Sequence, residues 1–141
     1  MARDIQASDT RLDALAAQFD LPLEALHGYA ELDYEHLIFG TKYKVAEDIA
    51  SNQGDALRKG DKVYFLGATS DHDTDVSLYF ERDGTHLTLR FNANVPQEAD
   101  AKRYFRNIET TLRPVLLDLS KRSKQLIAAR AVLLHLRKNE A

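Results

Sequence analysis

Apolar positions in the first third of the chain recur at helical intervals. Ser8 and Asp9 offer caps for a helix whose inward face is Leu12, Leu15, Ala16 and Phe19, the i, i+3, i+4, i+7 spacing of an amphipathic helix. Asp20-Leu21-Pro22 ends that run and opens another from about Leu23, with Leu26 and Tyr29 inward and Gly28 fraying its end. Gly40 marks a turn into a short strand, Lys42 to Val45, and residues 46–53 read as a helical turn or two closed by Gly54. The period then changes to two. Gly60-Asp61 opens a strand from Lys62 to Leu66 that Gly67 ends, and residues 68–74 read as a polar loop.

Asp75 to Arg82 and Thr85 to Ala93 flank Asp83-Gly84, the dipeptide of a two-residue hairpin. Such a turn sets the register. Phe80 falls opposite Leu87, Leu78 opposite Leu89 and Val76 opposite Phe91 on one face. Glu81 meets His86, Tyr79 meets Thr88 and Ser77 meets Arg90 on the other. After Pro96 the pattern turns helical to the end. Ala101, Tyr104, Phe105, Ile108, Leu112, Val115, Leu116 and Leu119 make one stripe, which Leu126, Ile127, Leu133 and Leu134 continue. Pro114 predicts one helix kinked there, or two helices joined there. From Ala128 to Leu136 the helix is apolar nearly all round, apart from Arg130 and His135, which predicts burial on two sides.

Charge changes the picture. The 141 residues carry a net charge of -3, but residues 1–101 hold 9 basic and 19 acidic side chains, and residues 102–141 hold 10 basic and 3 acidic. Near-neutrality is therefore a cancellation between two strongly charged parts. Either the basic segment packs on its own acidic half or a neighbour's, or it is a surface for a polyanion. The absence of cysteine excludes a disulfide framework, cysteine-ligated zinc, an iron–sulfur cluster and a cysteine nucleophile. The first residues lead into no apolar core of signal-peptide length, and no run of 18 apolar residues exists. The expected location is the cytoplasm or an assembled particle, with no membrane partner.

The first 46 residues resemble a LysM module, whose plan is βααβ. Ile5-Gln6-Ala7 stands as the first strand and Ser8-Asp9-Thr10 as the loop. Leu12, Leu15-Ala16 and Phe19 fit the first helix, Leu23-Glu24-Ala25-Leu26 the second, and Gly40-Thr41-Lys42-Tyr43-Lys44-Val45 the returning strand. The sequence departs from the pattern at Ser8, Ala30, Thr41 and Ala46. The resemblance implies binding of N-acetylglucosamine-containing glycans such as peptidoglycan, in a groove between Asp9, Thr10 and Leu12 and the stretch Leu32, Asp33 and Leu37. It also allows a plain structural adaptor.

Other constellations are weighed the same way. Read as helix-turn-helix, the second helix offers Glu24 and His27, with Asp20 at the turn, and negative charge there repels a duplex. Lys121, Arg122 and Lys124 form the basic run best placed for a polyanion, against a solvated helix face whose cations suit the C-terminal end of the helix dipole. Asp71, Asp73 and Asp75 could gather oxygen ligands for a cation, but Val76 and Arg82 stand where an EF-hand needs Gly and Glu. The five histidines are scattered, and no phosphate loop, zinc pair or nucleophile elbow appears.

Together these patterns predict an α+β protein. Residues 1–46 form a LysM-like βααβ module. Residues 47–141 form a three-stranded antiparallel sheet whose Phe80 and Leu87 face meets a long C-terminal helix. The expected function is non-catalytic: an interaction or adaptor protein that assembles through Leu126, Ile127, Leu133 and Leu134, with itself or with a protein partner, and without a cofactor. The alternatives are glycan binding through the LysM-like groove and nucleic-acid binding through the basic helix. A small hydrolase has only the scattered histidines behind it.

Overall fold

Asp83 and Gly84 both adopt positive φ, 51° and 81°, as a two-residue hairpin turn of matching twist demands. In this computed structural model, which describes residues 2–22, 32–34, 36–50, 53–71, 75–92 and 111–140, that turn joins two eight-residue strands. The elements in chain order are α1 (Ala2–Phe19), β1 (Lys42–Val45), β2 (Ile49–Ala50), β3 (Gln53–Gly54), β4 (Ala56–Leu57), β5 (Lys62–Asp71), β6 (Asp75–Arg82), β7 (Thr85–Asn92), β8 (Leu112–Pro114) and α2 (Lys121–Glu140). The main sheet is antiparallel throughout, in the order β3-β7-β6-β5-β1-β8, with β3 a two-residue strip at one edge; β2 and β4 pair separately.

The β6–β7 register is the one that the Asp-Gly turn predicts, from Val76 opposite Phe91 to Glu81 opposite His86. Strand β5 runs to Asp71, through what the polar composition of residues 68–74 marked as loop. It does so with a bulge. The register shifts between Phe65 and Ala68, and Gly67 takes a φ of 109°. The extra residue keeps Phe65 and Ala68 on one face although they are three apart.

Both faces of the sheet are covered. One carries Tyr43, Val63, Phe65, Leu78, Phe80 and Leu89, with Leu37, Ile49 and Leu57 packed over it. Phe65 and Phe80 meet edge to face at 5.6 Å there. The other carries Tyr64, Leu66 and Tyr79 and meets both helices. Leu126, Ala129 and Leu133 of α2 and Leu15 and Ala16 of α1 close that core. The expectation that the Phe80 and Leu87 face meets the C-terminal helix is therefore reversed, and the face with Tyr79 and Glu81 does so. The alternation of β6 and β7 distinguishes two faces, but in β6 both are buried, with Leu78 and Phe80 on one and Tyr79 and Glu81 on the other.

Four further expectations are corrected. The three-stranded sheet is larger, because β1 pairs with β5 and β8 adds beyond it. The βααβ LysM piece does not fit. Ile5-Gln6-Ala7 and Ser8-Asp9-Thr10, expected as strand and loop, lie within the single helix α1, and among the described residues β1 pairs with β5 and β8, both later in the chain. The second helix expected from Leu23 lies outside the described residues. From Leu112 on, the C-terminal helix expected to be kinked or divided at Pro114 is instead a strand, an irregular segment and a helix beginning at Lys121, and its expected first part, residues 97–110, lies outside the described residues. Likewise, where helical turns are expected over 46–53, Ile49–Ala50 forms β2 and Gln53 begins β3.

Candidate interaction surface

The turn at residues 38–41, the start of β1, the segment after β8 and one flank of α2 enclose an open cleft of about 410 Å³. Gly40 makes the close approach possible. It has a φ of 85°, and a Cβ placed on it would lie 3.2 Å from the Cβ of Leu126. Asp33 fixes the same turn from outside, accepting from the Phe39 N–H at 3.1 Å and from both terminal nitrogens of Arg130. The Arg130 guanidinium holds the Asp33 carboxyl below the usual carboxylate range, against the opposing effect of burial.

The far lip of the cleft follows from how β8 ends. Thr111 O accepts from Ala46 N–H, and Val115 N–H donates to Lys42 O at 2.7 Å, so 111, 113 and 115 face β1 while 112 and 114 face away. Pro114 thus loses no ladder bond to β1, and its ring nitrogen lies on the outer edge. Beyond Val115 the chain leaves the sheet and exposes Leu116, Leu117 and Leu119, with Leu116 94% exposed. On the helix side Ile127 is 62% exposed and Leu134 46%. They lie seven residues apart and so on one face of α2. Ile38 completes the apolar rim.

A polar cluster anchors the start of α2. Ser120 caps the helix, its Oγ accepting from Ser123 N–H at 3.1 Å. Asp118 accepts from Ser120 N–H at 3.1 Å and from the Tyr64 hydroxyl at 2.6 Å, and that hydroxyl also lies 2.7 Å from Ser120 Oγ. Burial pushes the Asp118 carboxyl up, but the Tyr64 and Ser120 hydrogen bonds outweigh it and leave it lowered. Burial, then the Asp118 hydrogen bond, push Tyr64 up, so the phenol stays protonated and serves as a clamp. Lys42 sits 5.4 Å above the Tyr64 ring.

Next to this cluster lies a smaller polar pocket of about 290 Å³, bordered by Lys42, Lys62, Tyr64, Glu81 and Arg122. Glu81, 3% exposed, is held by a two-point guanidinium contact from Arg122, one bond of it at 2.8 Å. The same guanidinium donates to Phe19 O at 2.6 Å and Asp20 O at 2.9 Å, capping the C-terminal end of α1. Asp20, Glu81 and His86 bring ligand atoms within 4.8 Å of one another. Arg122 already supplies the positive charge there, so a metal cation would meet it at close range.

The expected site residues are dispersed. Asp9 and Thr10 lie within α1, Leu12 packs against the helix-side core, and Leu32 and Leu37 are buried in different cores, while Asp33 is paired with Arg130. None of them lines the cleft. Leu126 and Leu133, expected at an interface, are buried inside the chain, whereas Ile127 and Leu134 face outward. Lys121 and Lys124 are exposed, but Arg122 turns inward onto Glu81. These cations occupy the first turn of α2, the positive end of its dipole, not the C-terminal end as expected. Asp71 and Asp75 are cross-strand partners, and Asp73 lies outside the described residues.

Sequence reasoning missed the Tyr64, Asp118 and Ser120 cluster. The signal was present, since Asp118 and Ser120 immediately precede a basic helical run as N-terminal caps do. The helical spacing of Leu112, Val115, Leu116 and Leu119 concealed it.

No helix among the described residues is long and apolar enough to cross a membrane. No family model matches the chain. No curated protein matches it. Among solved structures, an integron cassette protein from the mobile metagenome of Vibrio cholerae is similar, with a TM-score of 0.51 and 20% identity. The likeness covers 61% of this chain and 93% of that one, and it bears on the fold alone.

Proposed function

We propose that the protein is a non-catalytic interaction protein, and that it binds a protein partner through the cleft between β1, residues 114–118 and α2. The observation that carries this reading is the apolar rim. Leu116, Ile127 and Ile38 stand exposed around one concave surface, with Leu134 exposed further along the same face of α2, where isolated exposed side chains would be unremarkable. The polar groups nearby support the same reading, because Asp33, Arg130, Asp118 and Tyr64 are engaged in holding the walls of the cleft. They fix its shape before a partner arrives, which lowers the ordering cost of binding.

The test is site-specific photocrosslinking in cells that produce the chain. A photoreactive residue at position 127 should give a discrete protein adduct, and the same residue at exposed Glu47, outside the cleft lining, should not. Absence of an adduct at 127, or equal labelling at both positions, removes the reading.

A further inference from the structure

Resting on that reading, we propose that the partner is a second copy of this chain. Two chains pair about a two-fold axis so that Leu116 of each enters the cleft of the other, between Ile38, Pro114 and Ile127. Closed two-fold pairing requires projection and recess on the same patch, so that each copy gives what it receives. This surface has both. Leu116 stands on the cleft's own rim and is 94% exposed, almost bare of contacts within its own chain.

Area and charge agree with this occupant. A standard interface takes about 800 Å² from each partner, of which roughly 500 Å² is apolar in homodimers. The exposed parts of Ile38, Leu116 and Ile127, which line the cleft, and of Leu134 on the same face of α2 equal about two and a half whole side chains. At roughly 60–120 Å² for each fully buried side chain, they supply about 150–300 Å², a third to over half of that share, and exposed Leu117 and Leu119 adjoin Leu116 in the chain. The patch also carries both signs, with Lys42 and Arg130 beside Asp118 and Asp33. A surface of one sign repels its own copy, whereas the mixed signs here, with Arg130 and Asp33 already neutralising each other, remove that repulsion.

The backbone edge nearby does not offer the usual alternative. Adding a partner strand to β8 needs outward N–H groups, and Pro114 has none at its outward position. Pairing therefore runs through side chains and not through extension of the sheet.

Sedimentation equilibrium of the full chain at about 100 μM, some hundredfold above a micromolar dissociation constant, should give twice the monomer mass of 16.0 kDa. Leu116→Lys and Ile127→Asp should each give monomers with unchanged circular dichroism. Mixing those two variants should restore a dimer, since one contact becomes Lys against Asp and the other returns to Leu against Ile. Ile127→Gln, a milder change, should raise the dissociation constant at least tenfold. A monomeric wild type, a dimer indifferent to both variants, or a mixture that stays monomeric overturns the proposal. A monomer that still gives a heterologous adduct at position 127 retains the interaction reading and discards self-pairing. A monomer without any adduct discards both.

Discussion

Replacing Arg122 by methionine keeps most of the side chain's length and removes its charge. Glu81 would then remain 3% exposed with no guanidinium, and the carbonyls of Phe19 and Asp20 would each lose a donor. Stranding one member of a buried ion pair costs about 3–5 kcal/mol. A chain of this length has a total stability of roughly 7–20 kcal/mol, so the loss is a substantial fraction. In thermal terms it corresponds to a fall in Tm of about 10–20 °C. Urea unfolding followed by circular dichroism, on Arg122→Met, Glu81→Gln and the double variant, measures both the loss and its origin. The double variant should cost less than the two single losses added together, with a coupling of about 2–3 kcal/mol, because removing both charges leaves no orphan. A loss below about 1 kcal/mol for Arg122→Met, or strictly additive losses, would mean that the pair does not hold α1, β6 and α2 together.

Further predictions concern the walls of the cleft. Asp118, lowered in the folded protein, contributes stability that is complete above the unfolded carboxyl value of about 3.9 and is lost as pH falls through the folded value. Asp118→Asn should flatten that acid limb in urea midpoints measured from pH 6 downward, and an unchanged limb would contradict the assignment. Gly40→Ala should cost about 2–4 kcal/mol, from the positive φ together with the 3.2 Å approach to Leu126. Gly84→Ala, equally positive in φ but with open space around it, should cost about 1 kcal/mol on the same urea assay. Leu126→Ala should cost about 2–5 kcal/mol and its neighbour Ile127→Ala under about 1 kcal/mol in dilute solution. Equal losses would place α2 in a different rotation.

The central hairpin was readable because local chemistry alone determines it. Asp83 and Gly84 fix the turn, the turn fixes the register, and six alternating apolar residues agree with it. The segment Leu112 to Leu119 was not readable for the opposite reason. Its spacing imitates a helix, but Pro114 breaks the helical ladder, and pairing with β1 gives the backbone of Leu112–Pro114 another partner. Which face of the hairpin meets α2 was hidden as well. The sequence places Glu81 only opposite His86, and its burial depends on Arg122, 41 residues away. The charge asymmetry did carry information. Two cations of the basic segment, Arg122 and Arg130, are matched by Glu81 and Asp33 of the acidic part, while Lys121 and Lys124 stay at the surface. Of the site residues named from sequence, Ile127 and Leu134 alone lie exposed on the helix flank that the proposed interface uses, because heptad spacing reveals a face but not which face is inward.

The bond from Arg122 to the carbonyl of Phe19 spans 103 residues. During synthesis, therefore, α1 emerges long before the groups that hold its C-terminal end and cover Leu15 and Ala16. At roughly 5–20 residues per second that interval is about 5–20 seconds. Docking of the first helix must await the synthesis of α2, so the helix-side core closes only after residues 121–140 have been made. A nascent chain halted before α2 would hold the hairpin's local pairing and leave α1 without its partner. The delay gives this chain a window in which chaperones can find that apolar helix face uncovered.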